Sequence, residues 1–287
     1  MPNLKEIRSR ITSVGSTMQI TSAMKMVSAA KLKRAQDAIT QMRPYSNKLT
    51  DLLQSLSSSL DGSENNQYSD SRDVKKLLIV SITSNRGLCG GFNSYIIKSV
   101  KNLIEKQDKN TDVEILSIGK KSSEHFTKNG YKMLSVHDEV YNDLTFENVS
   151  KIAETIIKKF ILKEFDRVVL VYNQFKNAAT QIIMNENYLP IENTSGEKTQ
   201  TVDYIFEPNQ NEIVKELIPK SLKTQLFKAI LDSHASEHGA RMTAMHKATD
   251  NAAELKKELT LTYNKARQAA ITGEILEIVG GAEALNN

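Results

Sequence analysis

The chain has 287 residues, with 38 Lys or Arg against 34 Asp or Glu, so its formal net charge is only +4. This balance fits an acidic protein partner or weak nucleic-acid affinity and demands neither. The single Cys89 excludes an intramolecular disulfide, and no apolar run approaches the roughly 18 residues that a membrane span needs.

Residues 4–60 have the heptad pattern of a coiled-coil helix. Polar residues interrupt the apolar seam at Thr21, Lys25 and Ser28, which predicts a local change of packing partner. Pro44 predicts a kink or a gap in the backbone hydrogen bonds. The seam consists of Leu4, Ile7, Ile11, Val14, Met18, Thr21, Lys25, Ser28, Leu32, Ala35, Ile39, Met42, Ser46, Leu49, Leu53, Leu56 and Leu60.

The middle of the chain alternates strand-like and helix-like segments after a polar loop at 55–73. This alternation predicts a small α/β domain with a mainly parallel sheet. Strands are predicted at 76–83, 112–119, 166–175, 180–191 and 199–208, and helices at 91–107, 120–130 and 147–165.

From residue 212 to 285 the pattern is helical again, with a seam of smaller side chains that would let a partner helix approach closely. We expect the terminal helices to pair antiparallel, with the α/β domain inserted between them. The predicted domains are 1–60, 61–208 and 209–287. The second seam consists of Ala252, Leu255, Leu259, Thr262, Ala266, Ala269, Gly273 and Leu276.

The glycine cluster in "SITSNRGLCGGFNSYIIKSV" (81–100) follows a predicted strand and precedes a predicted helix, as phosphate-binding loops do. A dinucleotide fingerprint starting at Gly87 would need glycine where Cys89 and Phe92 stand, and no Walker A loop is present. We therefore favour a tight strand-to-helix turn over a nucleotide site.

"HASEH" (234–238) matches the H-x-x-E-H pattern of a zinc-protease family, and His234 and His238 are four residues apart. A catalytic zinc site also needs a third ligand and a pocket. The surrounding segment is a polar helix. We therefore favour a solvated or interface helix with locally hydrogen-bonded histidines.

Basic residues recur in the first 34 positions, and a solvated helix face accounts for them best. Nucleic-acid binding would require a denser basic run with stacking aromatics, and the first 44 residues contain no aromatic side chain. Cys89 is expected to be a small buried apolar residue rather than a nucleophile.

Four separated stretches, in order, carry the strongest signal in the chain. They are "IRSRITSVGSTMQITSAMKMVSAAKLKRAQ" (7–36), "RGLCGGFN" (86–93), "SEHGARMTAMHKATDNA" (236–252) and "NKARQAAITGEILEIVGGAEAL" (264–285). Together they resemble the γ subunit of the F-type ATP synthase. That resemblance implies two antiparallel terminal helices forming a coiled coil, plus an inserted Rossmann-like α/β domain.

The resemblance also implies a function. The chain would be the non-catalytic central shaft, transmitting torque from the proton-driven c-subunit ring to the α3β3 hexamer, whose β subunits catalyse. The ε subunit would lie beside its base. No cofactor, metal or nucleic acid is implied, and membrane association would be indirect, through the c ring. The N-terminus has no transit peptide, so we expect a bacterial protein at the cytoplasmic side of the inner membrane.

Family positions map onto three groups of residues. Contacts with β are implied at Met24, Lys25, Lys33, Arg34, Arg241, Gln268, Thr272 and Glu274. An apolar tip turning in the hexamer is implied at Ile275, Ile278, Val279 and Leu285. Contacts with the c ring or ε are implied at Asp203, Tyr204 and Glu207.

Two other classes of protein stay open on the residues alone. A coiled-coil scaffold with a ligand-binding lobe would require a phosphate fingerprint or charged pocket in the lobe. A nucleic-acid-binding coiled coil would show steep salt dependence. Neither accounts for four ordered family motifs. The lone Cys89 also argues against thiol regulation of the chloroplast type.

Overall fold

A computed structural model describes residues 3–57, 66–70, 72–108, 110–191 and 210–285. It contains the predicted order of a long helix, alternating strands and helices, and a second long helix. The helices are α1 (Leu4–Ser57), α2 (Phe92–Glu105), α3 (Lys120–Lys128), α4 (Phe146–Ile161) and α5 (Gln210–Leu285). The strands are β1 (Lys76–Ile82), β2 (Asp112–Ile118), β3 (Met133–Val136), β4 (Arg167–Phe175) and β5 (Gln181–Leu189).

The five strands form one sheet in the order β3-β2-β1-β4-β5. β1 pairs in parallel with β2 and with β4, and β2 pairs in parallel with β3. Only β5 is antiparallel to its neighbour β4 among these strands. The prediction of a mainly parallel sheet is confirmed, whereas β3 was missed. The predicted strand at 199–208 lies outside the described residues.

Helices cover both faces of the sheet, which explains why β1 is an almost continuous apolar run. Its side chains alternate between faces. Leu78 and Val80 pack in a core with α4 and part of α5, and Ile79 packs in a second core that includes α2 and α3. A strand buried on both faces needs no polar alternation, as parallel sheets generally show.

The contacts within the chain divide it into two compact units. One comprises Met1–Ser28 with Met242–Asn287, and the other comprises Ala29–Arg241, including the whole sheet. The domain boundaries predicted at residues 60 and 208 stay a prediction.

The first unit pairs the beginning of α1 with the end of α5 in antiparallel fashion. The hydroxyl of Thr249 donates to that of Thr21 at 2.8 Å, and the Lys256 side chain lies against Gly15. Between these two contacts, the position on α5 advances from Thr249 to Lys256, while the facing position on α1 goes back from Thr21 to Gly15. Opposite directions along the two helices are what an antiparallel pair requires.

The predicted seam of α1 is confirmed as its buried face: none of the seam residues from Leu4 to Leu49 is exposed. The buried face continues through the polar positions, and the change of packing partner predicted there stays a prediction. Thr21 and Ser28 are buried, and their hydroxyls donate to the carbonyls of Met18 and Met24 in the same helix. The helix also continues through Pro44, where the missing N–H removes one backbone bond.

The predicted seam of α5 is only half right. Ala252, Leu259, Ala266 and Gly273 are less exposed than their neighbours, as predicted. The other four seam positions are exposed: Leu255, Thr262, Ala269 and Leu276. Lys256 and Tyr263 occupy the intermediate contact positions instead. The spacing is therefore four then three, and the long stems of Lys and Tyr pack while their polar ends reach water.

Candidate interaction surfaces

The glycine cluster forms the predicted strand-to-helix turn between β1 and α2. Gly90 and Leu88 have positive φ angles of 60° and 62°, respectively. The side chain of Asn93 fixes the turn by accepting from the Ser84 amide at 3.0 Å and donating to the Cys89 sulfur at 3.2 Å. Cys89 is 2% exposed, which confirms the predicted burial, and burial raises the pKa of its thiol.

Ligands of open α/β sheets usually bind beyond the carboxyl ends of the strands, where the strand order reverses. Here that place lies between β1 and β4, and part of α5 fills it. Arg241 donates to the carbonyls of Arg86 and Gly87 at 3.0 and 3.3 Å, and Ser236 donates to Asn173 at 3.0 Å. The place where such a ligand would bind is therefore occupied by the protein's own helix.

Arg241 is buried and forms an ion pair with Glu237, whose carboxylate lies 2.6 Å away. Desolvation by burial raises the pKa of Glu237, while the adjacent guanidinium acts in the opposite direction. The assignment of Arg241 as a β-subunit contact stays a prediction. In this structure, its guanidinium binds the turn after β1.

The H-x-x-E-H segment forms part of this buried polar cluster. The Nε2 atoms of His234 and His238 lie 3.2 Å apart, and the ring of Tyr141 stacks on His234. Burial lowers the pKa of His234 to about 4 and that of His238 to about 3, with the Arg241 charge contributing to both shifts. Local hydrogen bonding is confirmed, but the prediction of a solvated helix is wrong for His238, which is buried.

Across the ranges given above, no group of three or more His, Cys, Asp or Glu side chains is arranged to hold a metal ion. Within the same ranges no helix is long and apolar enough to cross a membrane.

The other residues predicted to contact β lie in the first unit or on the exposed face of α1. Met24 and Lys25 are half-buried, and Lys33 and Arg34 are exposed. Lys33 forms only a long surface ion pair with Asp37, at 3.8 Å. Near the end of α5, Gln268, Thr272 and Glu274 are exposed, as are most of their neighbours.

The predicted apolar tip is a run of exposed side chains. Ile275, Ile278 and Val279 are 54%, 72% and 55% exposed. The antiparallel register places Leu4, the first residue of α1, opposite about residue 267 of α5, since an α-helix rises equally per residue in both partners. The last part of α5 therefore has no partner helix in the first unit. The side chain of Leu285, and all of Asp203, Tyr204 and Glu207, lie outside the described residues.

Comparison with known proteins decides the family. A family model described as ATP synthase matches residues 3–285. The chain is 62% identical over 286 residues to the ATP synthase gamma chain of Christiangramia forsetii, covering all of both chains. It is equally identical over 287 residues to that of Flavobacterium johnsoniae, again covering both completely. The chain belongs to the ATP synthase gamma chain family.

Solved structures agree with this assignment. A chain in the central stalk and c-ring structure of Tetrahymena thermophila mitochondrial ATP synthase is 26% identical, with a TM-score of 0.61. The match covers 80% of this chain and 99% of that one. A chain of the Euglena gracilis mitochondrial enzyme shares the fold, with a TM-score of 0.69 at 22% identity over 98% and 94% of the two chains.

As a gamma chain, the protein is the central-stalk subunit of a membrane-bound complex and couples rotation to ATP synthesis. It is a non-catalytic subunit, because catalysis in ATP synthase takes place in the β subunit. The fold class and function predicted from the sequence are confirmed.

The sequence did not reveal the polar contacts between α5 and the strand ends. Asp232, Ser236 and Glu237 appear as ordinary helix-surface residues in the sequence, yet all three are buried. One signal in the sequence indicated burial here: residues 229–236, "AILDSHAS", carry little charge, whereas the segments on either side are charged.

Proposed function

We propose that the chain turns inside an α3β3 hexamer with the end of α5 as its pivot, while the sheet-containing unit meets the c ring and the ε subunit. The supporting observation is the exposed apolar run at Ile275, Ile278 and Val279, which has no partner helix in its own unit. Such a surface on a soluble helix is typical of a protein–protein contact. Apolar contacts have no preferred direction, so they hold the helix in place and still permit rotation.

Polar residues on the same helix provide the contacts that depend on the rotation angle. Gln268, Thr272 and Glu274 are exposed beside the pivot, and Lys33 and Arg34 are exposed on α1. We assign them, with Met24, Lys25 and Arg241, to contacts with the β subunits. Exposed ion pairs contribute at most about 1 kcal/mol each, so none of the exposed residues would stop the shaft at one angle.

Asp203, Tyr204 and Glu207 are assigned to the c ring and ε on the family resemblance alone. The composition and the high identity to bacterial gamma chains support the cytoplasmic side of a bacterial inner membrane, with the c ring as the link to the bilayer.

The test is ATP hydrolysis by purified α and β subunits, alone, with the full chain, and with a truncation ending at Ala270. The full chain should assemble with the hexamer and sustain multi-site turnover. The truncation should bind more weakly and lower the turnover, because it removes the pivot. Leu162→Asp serves as the control, because Leu162 lies in the sheet-containing unit and is about as exposed as the apolar side chains of the pivot. This substitution should leave hydrolysis unchanged. A full chain that neither assembles nor changes turnover would overturn the proposal.

A further inference from the structure

Within the unit Ala29–Arg241, polar side chains of the long helices bind backbone carbonyls at the carboxyl ends of the strands. Arg43 of α1 donates to the carbonyl of Phe175 at 3.0 Å and pairs with Asp232 of α5 at 3.1 Å. Asp232 is 0% exposed. One turn further along α5, Ser236 donates to the carbonyl of Asn173 at 3.0 Å. Both helices are therefore tied to the end of the same strand, β4.

The neighbouring strand is tied in the same way. Arg241 donates to the carbonyls of Arg86 and Gly87, which follow β1, and the Glu237 carboxylate holds its guanidinium from the other side. β1 and β4 are adjacent in the sheet. We name the helix side chains that make these bonds the strand-end clamp: Arg43, Asp232, Ser236 and Arg241.

Two further hydrogen bonds join α5 to the edge strand β5: Tyr188 donates to the carbonyl of Leu222 at 3.0 Å, and Gln225 donates to the Glu186 carboxylate at 2.7 Å. The other contacts of α5 with the sheet are apolar. Leu222, Leu226 and Ile230 pack in the apolar core with α4 and the sheet. Apolar burial opposes separation of the helix from the sheet but has little directional preference. A hydrogen bond to a fixed carbonyl weakens steeply when its angle changes, and bonds from a charged donor are the stronger ones. Rotation or sliding of α5 over the central strands β1 and β4 is therefore resisted mainly at the clamp.

We propose that the strand-end clamp is the joint through which torque passes between the sheet and the two long helices. Its members are positioning residues: they fix the angle of the helices relative to the sheet and touch no nucleotide. The proposal rests on the function proposed above, because only a rotor carries torque through this joint. It assigns to Arg43, Asp232 and Ser236 a role that does not depend on any contact with another subunit.

The test uses the chain assembled with a surface-fixed α3β3 hexamer. A probe is attached to the exposed position 106 through Lys106→Cys, and its angular fluctuation is recorded while the motor pauses. Two variants loosen the clamp. Arg43→Gln with Asp232→Asn replaces the ion pair without leaving a buried unpaired charge, and Ser236→Ala removes a single hydroxyl. Arg167→Gln is the matched control, because Arg167 binds Asn187 within the sheet at 3.1 Å.

The angular variance in the pause should rise about twofold in the double variant, since it removes the charge-assisted contacts of Arg43 and leaves those of Arg241 in place. It should rise less in Ser236→Ala and stay unchanged in Arg167→Gln. ATP hydrolysis without a probe should equal that of the unmodified chain in all of them, because the catalytic sites are not touched. If the double variant does not assemble, Ser236→Ala decides the question.

Variance equal to that of the unmodified chain, or equal broadening in the Arg167→Gln control, would overturn the clamp and leave the rotor function standing. An unmodified chain that assembles but never rotates would instead overturn the proposed function, and the clamp with it. The two failures are thus distinguishable.

Discussion

The hydroxyl of Thr249 donates to that of Thr21 across the paired helices at 2.8 Å. Thr21 in turn donates to the carbonyl of Met18 in its own helix at 3.1 Å. The two residues lie at a core position that would ordinarily be apolar. Since each hydroxyl has a partner, the polar position is tolerated inside the seam and fixes the antiparallel register of α1 and α5.

A double-mutant cycle at this pair measures its contribution. Thr249→Val should lower the free energy of unfolding by about 1 kcal/mol, because the buried Thr21 hydroxyl loses a partner. Replacing both residues by valine should recover most of that loss, since no buried hydroxyl then lacks its partner on the other helix. Urea unfolding of the full chain provides the free energies. Costs that simply add in the double variant would mean that the two hydroxyls do not interact.

Gly119 lies where the chain leaves β2, and its backbone admits no side chain. Its φ is +104°, and an added Cβ would lie 2.1 Å from the carbonyl oxygen of Thr83. Gly119→Ala should therefore destabilise the chain by more than about 3 kcal/mol.

Gly130→Ala is the matched control for Gly119→Ala. Gly130 also has a positive φ, +74°, but an added Cβ would meet nothing within 4 Å. It should cost about 1–2 kcal/mol, the backbone penalty alone. Equal losses at the two positions in thermal unfolding would show that the Thr83 carbonyl is not the cause.

The histidine pair, of which His238 is buried and His234 half-buried, predicts a loss of stability in acid. Burial lowers the pKa of His234 to about 4 and of His238 to about 3, below the value of about 6.5 in an unfolded chain. The unfolded state therefore binds protons first as the pH falls. The contribution of the pair is fully present above about pH 6.5 and declines as the pH falls towards about 4.

The measurement is the free energy of unfolding against pH for the unmodified chain, His234→Gln and His246→Gln. His234→Gln should flatten the decline between about pH 6.5 and 4, because one of the groups that takes up a proton on unfolding is gone. His246 is exposed, so the same substitution there serves as the control. An unchanged slope in His234→Gln would contradict the assigned burial of the pair.

A charged substitution should affect the free energy of unfolding differently at the pivot and in the core. Ile278→Asp should change the free energy of unfolding by no more than about 0.5 kcal/mol, because Ile278 is 72% exposed. The same change at Ile39, which is 3% exposed, should unfold the chain by burying an unpaired carboxylate. Ile278→Asp should nevertheless weaken assembly with α and β subunits, measured by co-purification. Normal assembly of this variant would show that the pivot is not at this surface.

The helices and buried strands were predictable because their periodicity reflects burial directly. The α1 seam at Ile7 and Ile39 and the doubly buried strand β1 are examples. β3 was missed because it has only four residues, most of them half-buried. In α5 the contact positions are Lys256 and Tyr263, one residue after the predicted Leu255 and Thr262. The small residues of this seam leave room for the long stems of Lys and Tyr to pack, and a search for apolar positions does not consider such residues.

The interaction surfaces likewise include one that was expected before the structure was known and contacts that were not. The tip at Ile275 and Ile278 was expected from the family resemblance, and both side chains are exposed. The contacts of Asp232 and Arg241 with strand ends join residues more than 50 positions apart in the chain, for example Arg241 with Arg86. Only the fold brings such residues together, so no local pattern indicates them.

The central claim is that this chain rotates, and rotation in the assembled complex is the most direct test. The hexamer is fixed to a surface, and a probe is attached at position 106 through Lys106→Cys. Cys89, being 2% exposed, should react far more slowly than the new cysteine. With ATP, the probe should rotate in one direction, and the truncation ending at Ala270 should do so with lower torque. A probe that stays stationary while the same complex hydrolyses ATP would contradict the account.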